Sequence, residues 1–562
     1  MRRTNFYLLA VLLLTVFSIT TANAEVFGKA KGTPLTPPEV SVDKTPCLIC
    51  HSTVKPLHDR GAHKEVDCGS CHTVPQDHIS MPKAENRPAT RFDAQACAQC
   101  HTEQLKDMLD PKYHMAWAER DDRHTYSFIR DENTTIRDVQ YRVPRFHIGI
   151  LADMAVNRMG GRYSYKDPMG EGKPVERLWD QVKDNHPEMG DQLELNIPSL
   201  PWRPHKNVGL AQWASCLKCK STDNMMDYAY LGEPGKAILQ RDSHILPTLK
   251  TMNSSYNCNF CHDPHSAEPR IVNDILLQGL IDPQYSDNEF QTRTGETMTR
   301  VEAIDMGVRG YTRKIGILDR YDSNLMCGQC HLASHESHSF TNSEGETKNG
   351  LYFPNLYTTL FVDGPLAQYD WYDSRGLWNT IHPVTSTKWP RMPVHAHMET
   401  VALSKHGLAG VGCTDCHFAR KEDGTSEHQP SLPREKVANT CMNSSCHGPG
   451  TETNWTSVAE VKYNIDLIQQ RARVRRGHWQ NAHNDVLNYL TEVKNGNIQI
   501  GEQETEALHR AFGRSLQSEI WWSTDYSDSI HNPELHEKTV TQVTQELRSA
   551  LASAKRSEVK KE

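Results

Sequence analysis

The chain has 562 residues, a net charge of −8, 37% hydrophobic residues and a mean hydropathy of −0.65. This acidic balance, with no basic stripe interleaved with aromatics, excludes a general nucleic-acid binder. A body this long normally buries a large apolar core, so a chain this polar needs something besides side chains to fill its interior.

Arg2 and Arg3, an apolar run from Tyr7 to Phe17, and Ala22-Asn23-Ala24 predict a signal peptide over residues 1–24. The run is too short to span a bilayer, so an exported, periplasmic protein beginning near Glu25 is expected.

Sixteen cysteines then fall into eight pairs: Cys47/Cys50, Cys68/Cys71, Cys97/Cys100, Cys216/Cys219, Cys258/Cys261, Cys327/Cys330, Cys413/Cys416 and Cys441/Cys446. Past the last pair, apolar residues recur at helical spacing over 457–495, with Asn495-Gly496 as a stop, and two further helices are read at 502–524 and 535–555. Elsewhere turn residues interrupt the chain often. The expected fold is mainly α, with little sheet and a long C-terminal helical bundle that packs and supports a homo-oligomer.

The residue after each cysteine pair decides what the pairs do. Disulfides and zinc half-sites both use paired cysteines, but neither requires an adjacent histidine. Here His51, His72, His101, His262, His331, His417 and His447 follow seven of the pairs, although only 29 of the 562 residues are histidine. Covalent c-type haem does require that histidine: two thiols bond the porphyrin and the next residue turns its imidazole to the iron. The last motif, CMNSSCH, has a longer loop but still ends in Cys-His. Eight covalent haems are therefore expected, and their apolar porphyrins supply the missing core. The chain divides into a three-haem region at 25–135, a region of the remaining five motifs at 136–450, and the helical bundle at 451–562.

If the His-ligated irons are six-coordinate they need further histidines. Near the first three motifs the candidates are His63, His78 and His114, with His58 and His124 as rivals. The fourth motif, CLKCK, departs from the rest, because Lys220 stands where histidine would ligate iron. A lysine amine must lose its proton to bind, and burial beside a positive metal favours that loss. One electronically distinct site fed by seven wired ones is the logic of a multi-electron redox enzyme.

With lysine at the fourth of eight motifs, the chain resembles the superfamily of octahaem nitrite reductases, pentahaem ammonia-forming cytochrome c nitrite reductases and octahaem hydroxylamine oxidoreductases. The last five motifs resemble the pentahaem enzymes over roughly 140–550. The segment VHAHMETVALSKHGLAGVGCTDCH resembles the stretch carrying a catalytic histidine and a distal ligand, which implies His395 and His406, with His382 and His397 as rivals to His395. SEHQP and SIHNPEL resemble distal-ligand segments, implying His428 and His531. FHIGILADMAVNRMGG resembles the stretch with a distal histidine and the catalytic arginine, implying His147 and Arg158, with Arg162 and Arg203 as rivals. The family's tyrosine, three residues after the histidine of CGQCH, is Ser334 here, and the acidic calcium ligand just before it is Ala333; His335, His338 or Tyr352 is a candidate to enter that pocket instead. The resemblance implies a small inorganic substrate, nitrite or hydroxylamine reduced to ammonia, and a membrane or periplasmic cytochrome as electron donor. A sulfur-compound reductase, a hydroxylamine oxidase and a non-catalytic electron conduit are the alternatives.

Overall fold

A computed structural model describes residues 43–558 with internal gaps, the longest of them 109–256. Within it two compact units are described. No helix among the described residues is long and apolar enough to cross a membrane.

The first unit holds the described residues within 43–108 and 257–268. Its helices are short: α1 (Lys44–Cys50), α2 (Lys55–Arg60), α3 (Ala94–Ala98), α4 (Thr102–Met108) and α5 (Cys258–Cys261). Each start has a local cause. The Asp43 carboxylate caps α1 at Thr45 N, Pro56 opens α2, and the Asn257 side chain caps α5 at Asn259 N. A two-stranded ribbon pairs β1 (His72–Thr73) with β2 (Ala89–Thr90). The 262–268 segment docks on the end of α2: Ala62 N donates to Ser266 O at 3.0 Å, and Arg60 pairs with Glu268 at 3.1 Å. Gly61 permits this approach, since a Cβ there would collide with the Ser266 backbone.

The second unit holds the described residues within 269–304 and 314–558. It opens on a four-stranded sheet in the order β3 (Arg270–Ile271), β6 (Lys314–Leu318), β5 (Thr297–Asp305), β4 (Glu289–Gln291). Two small antiparallel ribbons follow, β7 (Ser339–Thr341) with β8 (Thr347–Asn349), and β9 (Thr380–Ile381) with β10 (Lys388–Trp389). The helices α6 (Ser323–Gly328), α7 (Pro365–Asp373), α8 (His397–Ala402), α9 (Lys405–Leu408) and α10 (Cys413–His417) lead to the long ones: α11 (Val458–Lys494), α12 (Glu502–Thr524) and α13 (Pro533–Arg556). These last three match the helices read from the sequence to within two residues.

The core of this unit lies among α11, α12 and α13. Trp479, Phe512, Trp521, Trp522, Val486, Val543 and Leu547 are all buried. The Trp479 indole donates to Ser515 Oγ at 2.8 Å, and the same hydroxyl meets His483 Nδ1 at 2.8 Å. The hydroxyl thus accepts from tryptophan and pairs with the imidazole. Trp521 Nε1 donates to Thr400 Oγ1 at 3.0 Å, and Asn532 Nδ2 to Thr400 O at 3.1 Å, which pins α8 against the bundle.

Candidate metal centres

The cysteine motifs share a local geometry. Cysteines three apart fall on one face of a helical turn, and the histidine N–H closes back on the carbonyl of the first cysteine. That bond is 2.8 Å for His51 to Cys47 and 2.9 Å for His101 to Cys97, His262 to Cys258 and His331 to Cys327. In the longer CMNSSCH loop, His447 N still reaches Cys441 O at 3.1 Å. The two extra residues are absorbed without losing the cysteine-to-histidine closure.

The second cysteines of the sixth and eighth motifs show how the two loop lengths differ. Cys330 N donates to Cys327 O at 3.1 Å, so the short loop closes cysteine on cysteine. Cys446 N donates instead to Asn443 O at 3.1 Å, inside the longer loop. The sequence assigns both residues to haem attachment. In the structure Cys330 is a half-buried thiol and Cys446 an exposed one, and neither they nor the other described cysteines are joined in a disulfide.

Side chains set the motifs in place. Gln329, inside CGQCH, is fully buried; its Oε1 accepts from Val272 N at 2.6 Å and from Asn273 N at 3.1 Å, fastening the sixth motif beside β3. Ser323 Oγ and Asn324 Oδ1, at the start of α6, accept from Thr414 N and Cys413 N, each at 3.2 Å, so the sixth and seventh motifs lie side by side. The Cys413 thiol lies 3.2 Å from Asn324 Oδ1 and the Cys47 thiol 3.9 Å from Asp43 O.

Opposite the motif histidines stand others. His51 faces His78 with ring centroids 6.4 Å apart and planes at 17°; His72 faces His265 at 6.4 Å and 14°; His101 faces His63 at 6.1 Å and 49°. In the second unit His417 faces His531 at 6.1 Å and 62°, and His447 faces His406 at 5.8 Å and 86°. Two imidazoles bound on opposite sides of one iron, at about 2 Å each, place their centroids roughly 6 Å apart. The pairs fit axial ligation of a haem iron. For His406 and His447 the facing atoms are the two Nε2, 3.5 Å apart.

In four of the histidines the other ring nitrogen is engaged as ligation requires. His63 Nδ1 lies 2.8 Å from Pro264 O, His262 Nδ1 3.1 Å from Ala267 O, His447 Nδ1 2.8 Å from Thr453 Oγ1 and His531 Nδ1 2.6 Å from Asp525 Oδ1. Donation from Nδ1–H leaves the Nε2 lone pair for a metal. Burial, then the neighbouring His265 and His51, depresses His72 to about 4. Burial and then His78 and His265 lower His51, burial lowers His406, and burial and then His406 lower His447. Neutral imidazole, the ligating form, is therefore favoured.

His63, His78, His406 and His531 are thus each brought opposite a motif histidine. The ring of His428 lies by Phe418 at 6.4 Å, with Nδ1 3.2 Å from Ser426 O. The rival His58 is buried in α2, and the rival His382 packs edge-on to Phe512. His397 approaches His331, Nδ1 to Nδ1, at 3.2 Å. His265 has no counterpart among the sequence candidates; its signal was the second histidine of HDPH, three residues past His262. Cys216, Cys219, Lys220, His114, His147, Arg158, Ala333, Ser334 and His395 lie outside the described residues.

The family profile described as cytochrome c552 matches residues 191–561, about two thirds of the chain. This chain belongs to the cytochrome c552 family. The match begins ahead of the fourth motif, so Lys220 and all later motifs fall within it, while the first three precede it. The cytochrome c-552 of Bacteroides thetaiotaomicron is 26% identical over 217 residues, 38% of this chain and 36% of that protein. That of Parabacteroides distasonis is 25% identical over 301 residues, 50% and 48% of the two chains. The cytochrome c nitrite reductase subunit NrfA of Nitratidesulfovibrio vulgaris is 25% identical over 225 residues, 37% and 35%. The chain thus spans about a third to a half of the length of these relatives. Among solved structures, the cytochrome c nitrite reductase of Desulfovibrio desulfuricans, described with two calcium sites, matches with TM-score 0.50 and 15% identity, covering 83% of this cytochrome c552-family chain and 86% of its own. Membership in a cytochrome c family carries covalent haem c, which is what the facing histidines accommodate.

Proposed function

We propose that this cytochrome c552-family protein is a periplasmic octahaem reductase that converts nitrite or hydroxylamine to ammonia at the Lys220 site. The observation that carries the reading is the lysine itself: one amine replaces histidine within the family-matched span, while the other seven motifs keep histidine. Bound haem supplies one-electron steps and, where one axial position stays open, a coordination site for a small molecule. The facing histidines saturate their sites, which suits them to outer-sphere electron transfer and closes them to substrate. Lys220 contributes a neutral amine, a σ donor whose site differs from its neighbours. Arg158 holds an anionic substrate by charge-assisted hydrogen bonds. His395 delivers protons and stabilises the charge that builds as N–O bonds break. Electrons come from a membrane or periplasmic cytochrome, and the bundle supports a homo-oligomer. A calcium ion like those described in the Desulfovibrio desulfuricans enzyme lacks an acidic ligand where Ala333 stands.

Ser334, in place of the family's tyrosine, favours a second reading in which the substrate is a sulfur compound such as sulfite or tetrathionate. A substrate panel with a reduced dye as donor separates the two. Lys220→Ala is expected to abolish turnover of the preferred substrate while the low-spin haem spectrum persists; retained turnover would overturn the role of Lys220.

A further inference from the structure

One buried carboxylate touches a histidine of a facing pair, His531. Asp525 closes the C-terminal end of α12, and its side chain is 0% exposed. Oδ1 meets His531 Nδ1 at 2.6 Å and Ser527 N at 3.3 Å, and Oδ2 accepts from Ser527 Oγ at 3.0 Å. Ser527 Oγ in turn accepts from His531 N at 3.1 Å, so the carboxylate and the imidazole are joined twice. His397 completes the group: one ligating atom from each of His397, Asp525 and His531 lies within 4.8 Å of the others.

Three such side chains at this spacing admit two roles, a discrete metal ion or the outer support of the facing pair. The direction of His531 decides. Its ring lies 6.1 Å from that of the motif histidine His417 and edge-on to His397 at 5.5 Å, and its Nδ1 is already committed to Asp525, so Nε2 is what remains for a metal. The backbone is shaped to hold this arrangement. Asp528 and Ser529, between the two partners, sit at φ of 55° and 76°, a region that costs non-glycine residues energy. Arg473 fixes that bend by pairing with Asp528 at 3.1 Å, and Asn532 ties its far end to Thr400 O at 3.1 Å.

We propose that Asp525 is the positioning residue of the seventh haem site. It accepts Nδ1–H of His531, fixes the ring plane and raises the imidazole's donor strength, which favours the oxidised state of the metal held between His417 and His531. Through His397, whose Nδ1 is 3.2 Å from that of His331, the same carboxylate bears on the sixth motif next door. The proposal rests on the reading of His417 and His531 as an axial pair.

The test uses the haem-loaded full chain. Asp525→Asn keeps the shape and removes the charge, and Asp525→Glu restores it. Potentiometric titration followed by absorbance, with electron paramagnetic resonance of the low-spin signals, is expected to show one midpoint potential raised and one ferric signal displaced in Asp525→Asn. The other sites should hold their values, and Asp525→Glu should return both features toward wild type. Unchanged potentials and spectra in a fully haem-loaded Asp525→Asn would overturn the proposal. So would a stoichiometric non-haem metal in the wild type that disappears from either variant. Peptide mass analysis of the wild type separates the underlying reading: a Cys413–Cys416 peptide without haem mass would sink the axial pair itself.

Discussion

Two described regions, 43–108 and the bundle of α11 to α13, solve the interior problem differently. Along 43–108 the one described hydrophobic side chain that is buried is Leu57, while Ile49 and Ile79, next to the His51–His78 pair, are 71% and 49% exposed. In α11 to α13, by contrast, three tryptophans and a phenylalanine are buried, and the indoles of Trp479 and Trp521 donate to Ser515 and Thr400. The first region has motif histidines in facing pairs but hardly any side-chain core of its own. The second has a protein core against which the ligand-bearing segments lean. The contrast predicts that haem attachment serves as folding in the first region and as equipment in the second.

That contrast is open to direct attack. Replacing Cys47, Cys50, Cys68, Cys71, Cys97 and Cys100 with serine removes covalent haem from the first region. Residues 43–108 should then lose hydrogen-exchange protection altogether, whereas 458–556 keeps both its protection and its helical circular dichroism. Undiminished protection of 43–108 would dissolve the distinction.

Next in size is Trp479→Ala, which deletes a fully buried side chain. A loss of about 3–5 kcal/mol is expected, read as a lowered denaturant midpoint of the bundle, with the first region's haem absorbance untouched.

A pH effect follows from His483. Burial first, then His382, lowers it from an ordinary 6.5 to about 4. The unfolded chain therefore takes up a proton that the folded bundle refuses. The stabilising contribution is full above pH 6.5 and is lost as pH falls from 6.5 toward 4, with a span of roughly 3 kcal/mol. His483→Gln should flatten that part of the stability–pH curve. The smallest effect is Ser457→Ala, which removes the α11 cap that accepts from Glu460 N at 3.2 Å; it should cost about 1 kcal/mol, measurable as a small midpoint shift.

Much of this was legible in the sequence, and for identifiable reasons. The three long helices were readable because apolar residues recur along one face and stops such as Asn495-Gly496 follow. The motif histidines were readable because covalent attachment demands contiguous residues. His63, His78, His406 and His531 could be named, but not the motif histidine each faces. His265 shows why: it belongs to the fifth motif's segment yet faces His72 of the second, and only the docking of 262–268 on Gly61 makes that meeting. A residue spacing carries no trace of a contact made by packing. The four-stranded sheet escaped for a related reason, since its outer strands are two and three residues long and are held by pairing rather than by any marked alternation.

The central claim concerns the Lys220 site, and a spectrum tests it most directly. Oxidised, haem-loaded protein is compared with and without nitrite, by absorbance and electron paramagnetic resonance. The account predicts one high-spin ferric signal that nitrite displaces and that Lys220→Ala alters, among low-spin signals that stay fixed. A spectrum of low-spin haems alone, indifferent to nitrite, would contradict it and make the protein an electron conduit.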